Sequence, residues 1–403
     1  MSLAKNVEFM RQFSKLSGFN GLAAYGRGAS AAVPSPLIEI GHFGTNPGAL
    51  RMFAFVPEHV QRAPALVVVL HGCGQTAAGY DLGAGWSTLA KRYGFALLMP
   101  EQQASNNANT CFNWFEPGDI TRGRGEAASI RQMIARMVAE HKVDPRRIYI
   151  TGLSAGGAMT SVMLATYPDV FAAGAVIAGL PFGIASNVRE ALSGMMQSPP
   201  RPASELGDLV RKATRTLYKG RWPKVSVWHG SADRTVNPAN ADEIVKQWLD
   251  VHGLPSAPMS TSEVDGYPRD VWWNEAGETV VESYTITDMA HGTPLGTAGA
   301  DESYGTAGAF LIEAGISSSY HIANFFGLTE RVSQPNEASP APKPVAPVVP
   351  SVATAALQSP DLAATLWPRA VPVRTAKPRK PKRSGIDVGA VITRALTAAG
   401  LMK

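Results

Sequence analysis

The segment 152–156 has the sequence Gly-Leu-Ser-Ala-Gly and centres on Ser154. It follows the strand-like run RIYIT and precedes the helix-prone run AGGAMTSVMLATY. Glycines on both sides of a serine allow a sharp strand-to-helix turn, which raises the hydroxyl above a sheet. The helix that follows points its N-terminus at the serine and favours developing negative charge. The pattern predicts a nucleophilic serine, and the alternative is a surface loop that happens to contain Gly and Ser.

A serine nucleophile needs a base and a group that orients the base. In a strand–turn–helix setting these residues follow the serine in the order acid, then histidine. Asp233 lies just past the strand-like run KVSVWHG, and His291 follows the last predicted strand. The alternative for Asp233 is an Asx turn or an N-cap. Other histidines break the chain order or have no strand leading into them: His71, His229, His252 and His321.

Two backbone N–H groups are needed to stabilise an oxyanion. The residue after the nucleophile, Ala155, is the first candidate. The loop 70–75, Leu-His-Gly-Cys-Gly-Gln, follows an earlier strand, and its glycines allow the backbone to turn its N–H groups into the site. This makes Cys73 the second candidate donor. We expect His71 among the substrate-binding residues, as an orienting hydrogen-bond residue, and the alternative is a histidine satisfied at the strand end.

Strand-like and helix-like segments alternate through the body of the chain. Several of the strand-like runs are continuously apolar, which is typical of strands covered by helices on both faces. The predicted strands are 50–58, 65–72, 95–101, 147–154, 172–180, 224–230 and 281–291, with a hairpin over 270–284. Apolar residues at helical spacing mark 126–141 and 242–249. This alternation predicts an α/β fold with a mostly parallel sheet.

The composition describes a protein with enough apolar material for a large core. The chain has 403 residues, 45% of them hydrophobic, and a formal net charge of +5. No apolar run reaches the roughly 18 residues of a membrane helix, so we expect a soluble protein without a membrane span. The segment 331–403 has eleven Lys/Arg and three Asp/Glu, and the remainder has a net charge of −3. The body therefore gives no electrostatic reason to bind nucleic acid.

The two ends of the chain differ in composition from the body. Residues 1–35 are basic and contain no continuous apolar segment of the kind found in a secretory signal peptide, so we expect a flexible arm. Residues 36–328 form the predicted catalytic domain. Residues 329–384 are rich in Pro, Ala and Lys and predict a disordered linker. Residues 385–403 have helical apolar spacing, which indicates either a docking peptide or a frayed terminus.

Five ordered blocks of the body resemble the polyhydroxybutyrate depolymerase family of esterases, which have the α/β-hydrolase fold and relatives among feruloyl and acetylxylan esterases. The blocks are LHGCGQTAAGYD (70–81), CFNWFEP (111–117), RIYITGLSAGGAMT (147–160), HGSADRTVNPAN (229–240) and DMAHGTPLG (288–296). The resemblance implies Ser154, Asp233 and His291 as catalytic residues. It also implies Cys73 and Ala155 at the oxyanion hole, with Trp114 near the substrate groove.

The resemblance implies a serine carboxylesterase acting on polyhydroxybutyrate-type polyester or its oligomers. The alternatives are a feruloyl or acetylxylan esterase and, from another class, a polymer- or granule-binding protein that acts through its basic tail. Aromatic residues suited to an apolar groove are Phe112, Trp114, Phe115, Trp272 and Trp273, each of which could equally be core. No cofactor or metal is expected, because no residues stand at ligand spacing. The sequence does not specify an oligomeric state.

The two cysteines, Cys73 and Cys111, stand beside two loops of the predicted site. Their placement suggests a disulfide that staples these loops, as the resemblance also implies, and the alternative is a pair of reduced buried thiols. A disulfide favours an oxidising compartment. By resemblance we therefore expect an extracellular protein, with a cytoplasmic enzyme as the alternative.

Overall fold

The computed structural model describes residues 35–60, 62–214, 218–298 and 302–329. The predicted C-terminal helix, all but the first residue of the predicted linker and all but the last residue of the predicted N-terminal arm lie outside these residues. The strands are β1 (Ile38–Ile40), β2 (Arg51–Phe55), β3 (Leu66–Leu70), β4 (Ala96–Glu101), β5 (Ile148–Leu153), β6 (Ala173–Ile177), β7 (Lys224–Gly230), β8 (Ser260–Val264), β9 (Tyr267–Trp273), β10 (Thr279–Ile286), β11 (Thr293–Leu295), β12 (Thr297–Ala298), β13 (Glu302–Ser303) and β14 (Leu311–Glu313). The helices are α1 (Ala77–Ala84), α2 (Trp86–Tyr93), α3 (Pro117–Ile120), α4 (Gly125–His141), α5 (Ala155–Thr166), α6 (Val188–Gln197), α7 (Ala203–Ala213), α8 (Ala239–His252) and α9 (Ser318–Phe325).

A ten-stranded sheet organises the molecule, in the order β1-β2-β4-β3-β5-β6-β7-β10-β9-β8. The six strands from β4 to β10 in this order run parallel, and the strands outside them pair antiparallel. Every predicted strand is confirmed, as is the hairpin, which β9 and β10 form. The edge strands β1 and β8 were not predicted. Both are short and largely exposed, so they lack the apolar runs that identified the central strands.

Successive residues of β3 serve two separate cores, because side chains alternate between the faces of a strand. Leu66, Val68 and Leu70 pack in a core that includes residues of α4, α5 and α8. Val67 and Val69 pack in a core that includes residues of α1, α2 and α9. Helices therefore cover both faces of the sheet, as the continuously apolar strands predicted. Among the described residues, no helix is both long and apolar enough to span a membrane.

The turn chemistry around α1 and α2 brings the chain from β3 back to β4. The side chain of Thr76 caps α1 by accepting a hydrogen bond from the Gly79 N–H. Gly85 then ends α1 with a φ of 77°, and Gly94 ends α2 with a φ of 70°. Both angles lie in the left-handed region that glycine adopts without steric cost, so each helix ends where its glycine stands.

Candidate active site

Ser154 occupies the turn between β5 and α5, which the sequence pattern predicted. Its φ of 57° and ψ of −117° are unusual for a residue with a side chain. The turn is held on both sides, since the Ser154 N–H donates to the Ile177 carbonyl at 2.9 Å and the Ala158 N–H donates to the Ser154 carbonyl at 2.8 Å. These bonds stabilise a strained backbone that places the serine above the carboxyl edge of the sheet.

The two glycines of the motif are required by close backbone packing. A Cβ atom on Gly152 would lie 2.4 Å from the Gly156 carbonyl oxygen, and one on Gly156 would lie 2.4 Å from the Leu70 carbonyl oxygen. Neither oxygen belongs to a flexible side chain that can move aside. The start of α5 therefore packs directly against the ends of β3 and β5, which fixes the position of Ser154.

Asp233 and His291 meet through a hydrogen bond of 2.7 Å between Asp233 Oδ2 and His291 Nδ1. Asp233 follows β7 and His291 follows β10, and these neighbouring parallel strands end at the same edge of the sheet. The Ala232 N–H also donates to the Met289 carbonyl at 3.0 Å, which ties the two loops together. The structure thus brings the predicted acid and the predicted base into direct contact.

The other oxygen of Asp233 makes the Asx turn that was the alternative interpretation of this residue. Asp233 Oδ1 accepts hydrogen bonds from the N–H groups of Thr235 at 2.8 Å and Val236 at 2.9 Å. Val236 also lines the same cleft as Ser154. The two interpretations are therefore compatible, because each uses a different carboxylate oxygen.

The environment of Asp233 keeps its carboxylate ionised. Burial raises the pKa of this group, but hydrogen bonds from His229 and His291 outweigh burial and hold the pKa well below its ordinary value. An ionised acceptor favours a proton on His291 Nδ1 and leaves Nε2 as the basic nitrogen.

His229 is a site residue that sequence reasoning set aside. Its Nε2 atom lies 3.1 Å from Asp233 Oδ2, on the same oxygen that contacts His291. The spacing of four residues between a strand-end histidine and the acid in HGSAD was the available signal. Its position before the acid and inside a strand end excluded His229 as the base, and a supporting role was not considered.

In the loop after β3, the N–H groups on both sides of Cys73 make hydrogen bonds within the protein. The Gly72 N–H donates to Gln75 Oε1 at 2.8 Å, and the Gly74 N–H donates to the Asn109 carbonyl at 2.8 Å. Within the described residues, no hydrogen bond uses the N–H of Cys73 or of Ala155. Both residues line the cleft beside Ser154. Two unengaged donors at this place are what an oxyanion hole requires.

His71 lies beneath this loop and does not line the cleft. It is fully buried, its Nδ1 is 2.7 Å from the Gly72 carbonyl, and its Nε2 accepts the Gln102 N–H at 3.1 Å. Burial lowers the pKa of His71 to about 4, so the ring is neutral at neutral pH. Its expected place among the substrate-binding residues is therefore corrected. Because backbone groups occupy both ring nitrogens, His71 supports the loop.

A disulfide joins Cys73 to Cys111, as the sequence analysis suggested, with the two Cα atoms 4.3 Å apart. It closes a loop across a sequence separation of 38 residues. One end is the candidate oxyanion donor and the other begins the aromatic segment CFNWF. The disulfide therefore links the oxyanion loop to the aromatic wall of the cleft.

A cleft lies beside Ser154, which forms part of its lining. The lining residues are mainly apolar: Cys73, Asn107, Cys111, Trp114, Phe115, Ser154, Ala155, Leu180, Val188, Ala191, Leu192, Met195 and Val236. Trp114 and Phe115 form the aromatic wall of this cleft, and Trp114 is the residue expected near the substrate groove. Phe112 is fully buried beside His71. Trp272, which belongs to the hairpin, donates from its indole N–H to the Ala257 carbonyl and does not line the cleft.

A buried carboxyl group supports the aromatic wall from behind. Glu126, at the start of α4, accepts hydrogen bonds from the Asn113 N–H at 2.9 Å, from Asn113 Nδ2 at 2.8 Å and from Gln102 Nε2. Burial raises the pKa of Glu126 to about 8, and the nearby charge of Asp119 acts in the same direction. Gln102 also bonds His71, so one network holds both loops.

In the described part of the chain, no group of three or more His, Cys, Asp or Glu side chains could hold a metal ion.

The doubly wound sheet, with a serine at its central turn and an Asp–His pair at the same edge, defines an α/β-hydrolase. A structural comparison agrees: the acetyl xylan esterase from Aspergillus awamori superposes with a TM-score of 0.62 at 24% identity, over 72% of this chain and 99% of that one. At this identity the likeness shows the fold.

The esterase PHB depolymerase family model matches residues 52–264. Poly(3-hydroxyalkanoate) depolymerase C of Paucimonas lemoignei is 48% identical over 292 residues, which cover 72% of this chain and 70% of that protein. Acetylxylan esterase of Coprinopsis cinerea is 34% identical over 64% of this chain and 69% of that protein. Feruloyl esterase B of Thermothelomyces thermophilus is 34% identical over 60% of this chain and 83% of that protein. The chain belongs to the esterase PHB depolymerase family and is an ester hydrolase.

Proposed function

We propose that this protein is a serine carboxylesterase that hydrolyses polyhydroxybutyrate-type polyester or its oligomers through an acyl-enzyme. The observation that carries the proposal is the 2.7 Å hydrogen bond between Asp233 and His291, at the sheet edge where Ser154 occupies a strained turn. This arrangement supplies a nucleophile, a base and an orienting carboxylate in one place.

The proposed mechanism has two acyl-transfer steps. His291 Nε2 takes the proton of Ser154 as the hydroxyl oxygen attacks the ester carbonyl, and Asp233 holds the ring in the required tautomer. The N–H groups of Ala155 and Cys73 donate to the oxyanion of the tetrahedral intermediate. His291 then protonates the departing alcohol. Water enters, loses a proton to His291, and releases the acid from Ser154 by the same route.

The cleft supports a neutral, aliphatic ester as the substrate. Its described lining residues include no charged side chain, so nothing there compensates a charged substrate group for lost hydration. Branched and unbranched apolar side chains of α6 face the aromatic wall, which suits a short methyl-branched acyl unit such as 3-hydroxybutyrate. The 48% identity to a poly(3-hydroxyalkanoate) depolymerase over most of the chain favours the same class.

A feruloyl or acetylxylan ester is the second candidate. Trp114 and Phe115, whose rings pack edge to face with centroids 5.3 Å apart, offer an aromatic surface to a hydroxycinnamoyl group. The acetylxylan esterase of Coprinopsis cinerea and the feruloyl esterase B of Thermothelomyces thermophilus are each 34% identical to this chain.

The proposed location is outside the cell. The disulfide between Cys73 and Cys111 supports this, because disulfides persist in oxidising compartments. Mass spectrometry of alkylated, unreduced protein from its native host tests the point. We expect no labelled thiol, and two labelled thiols would contradict the proposal.

A substrate panel tests the function. Wild type and Ser154→Ala are compared on hydroxybutyrate oligomers, polyhydroxybutyrate, methyl ferulate, acetylated xylan and short p-nitrophenyl esters. We expect the highest kcat/KM on hydroxybutyrate oligomers and a fall of at least about 10³-fold in Ser154→Ala. Ser161→Ala is the matched control, since Ser161 lies on α5, the helix that follows Ser154, and its hydroxyl makes no hydrogen bond among the described residues. Full activity in Ser154→Ala would remove the serine assignment, and a preference for ferulate or acetylxylan would favour the second candidate.

A further inference from the structure

His229 lies at the end of β7 and is almost completely buried. Its Nε2 atom is 3.1 Å from Asp233 Oδ2 and 3.0 Å from the Val236 carbonyl oxygen. Its Nδ1 atom is buried and has no hydrogen-bond partner among the described residues. One edge of the ring therefore faces both the acid of the site and the Val236 carbonyl oxygen.

These contacts determine where the ring carries its proton. A carboxylate oxygen and a carbonyl oxygen are both acceptors, so Nε2 must donate to them. The geometry therefore places a ring proton on Nε2.

We propose that His229 is a positioning residue for the Asp233–His291 pair. Asp233 Oδ1 accepts hydrogen bonds from the N–H groups of Thr235 and Val236, and Oδ2 accepts one from His291 and lies 3.1 Å from His229 Nε2. The two backbone donors anchor one oxygen. His229 contacts the second oxygen together with His291 and so holds the carboxylate in the orientation that faces the base.

His229 acts through Asp233 and does not touch the substrate. His229 is absent from the residues that line the cleft, whereas Val236, whose carbonyl oxygen it contacts, is one of them. Its Nε2 atom already faces two acceptors. The effect of His229 must therefore appear in the chemical step, because substrate binding uses other residues. The inference rests on the proposed function, since it concerns the same acid–base pair.

The test removes the donor and then restores it. His229→Phe keeps a ring of similar size without a donor, and His229→Gln places an amide N–H within reach of Asp233. We expect kcat on p-nitrophenyl butyrate to fall about 10- to 100-fold in His229→Phe with KM within about twofold of wild type. His229→Gln should recover most of the loss. The downfield proton resonance of the His291–Asp233 hydrogen bond should broaden or disappear in the Phe variant and return in the Gln variant.

His252→Phe is the matched control, because His252 Nε2 also bonds a carbonyl, that of Pro223, but lies away from Asp233. We expect unchanged kcat in this variant. A folded His229→Phe protein with the kcat and resonance of wild type would overturn the proposal. If His229→Phe does not fold, His229→Gln and His229→Asn make the same test, since the shorter amide does not reach Asp233; equal kcat values in the two would overturn it.

Failure of the proposed function and failure of the proposed role of His229 give different results. If the wild type has no activity that depends on Ser154, the proposed function fails and the positioning role fails with it. If the wild type has that activity and His229→Phe matches it, only the role of His229 is rejected.

Discussion

Asp233 Oδ2 lies 2.7 Å from His291 Nδ1 across a sequence separation of 58 residues. The register of the sheet makes this contact possible, because Gly230 at the end of β7 pairs with Ile286 at the end of β10. Each residue follows its strand by a few positions, so the two loops start level and meet above the same edge. The acid–base pair is therefore a consequence of strand alignment.

Replacing Asp233 with asparagine is expected to remove most of the activity while leaving the fold intact. An amide that donates towards Nδ1 favours the wrong tautomer of His291, and in a Ser-His-Asp site such a change costs about 10⁴-fold in kcat. Steady-state kinetics on p-nitrophenyl butyrate measure the effect. Asp208→Asn is the control, since Asp208 pairs with Arg211 on the exposed face of α7. A loss of less than about tenfold in Asp233→Asn would contradict the role of the carboxylate.

Gly156→Ala is expected to damage both stability and activity, because the new Cβ atom would lie 2.4 Å from the Leu70 carbonyl oxygen and 2.5 Å from that of His71. Relief of this overlap must move α5 or the oxyanion loop. Strain of this kind typically costs about 1–3 kcal/mol. Thermal unfolding and kcat are measured together. Gly41→Ala is the control, as a Cβ atom there meets nothing within 4 Å. Equal melting temperatures for the two variants would show that the close packing is not required.

Met195→Trp is expected to shorten the range of acyl chains that the enzyme accepts. Met195 lines the cleft, and a tryptophan there would occupy space opposite the aromatic wall. Turnover of p-nitrophenyl acetate should stay within about threefold of wild type while that of the hexanoate, which is four methylenes longer, falls by about tenfold or more, since apolar pockets discriminate methylenes on this scale. Met196→Trp is a close control, because the Met196 side chain is 65% exposed. The same chain-length profile in both variants would exclude this wall as a determinant of specificity.

Glu126 is expected to make stability depend on pH between about pH 4.5 and pH 8. Burial raises the pKa of Glu126 from 4.5 to about 8, so the folded protein prefers the protonated carboxyl. Its contribution to stability is complete below about pH 4.5 and is lost as the pH rises through about 8.

The measurement compares melting temperatures of wild type and Glu126→Gln from pH 5 to pH 8.5. Since glutamine does not titrate, we expect the wild type to lose stability relative to the variant as the pH rises. A difference in melting temperature that stays constant across this range would contradict a raised pKa for Glu126. The constant offset itself reports only the changed hydrogen bonds with Asn113 and Gln102.

Much of the fold was predictable because its causes are local. Continuously apolar runs such as β3 identified the buried parallel strands, and helical spacing identified α4 and α8. The short, exposed strands β1 and β8 were missed, since their sequences carry no such pattern. The pairing of β9 with β10 was expected, but the burial of Trp272 in that hairpin, remote from the cleft, depends on how the hairpin packs.

The candidate site shows the same division. Motif and chain order predicted Ser154, Asp233 and His291, and their catalytic roles stay predictions that the experiments above address. His229 was passed over, because its contact with Asp233 depends on the path of a loop that returns to the strand end. His71 was placed too close to the substrate for a comparable reason: whether a strand-end ring turns inwards depends on what packs over it.

By itself, the sequence determined the α/β alternation, the turn that carries Ser154 and the family to which the chain belongs. Steric limits on backbone and strand burial act over a few residues, and these limits are visible in residue types and spacing. Only the tertiary structure decided that Asp233 contacts two histidines, His229 and His291. It also decided that α6 forms a wall of the cleft and that Glu126 supports the aromatic loop. Those relationships join side chains far apart in sequence, and their distances depend on register and packing across the whole sheet.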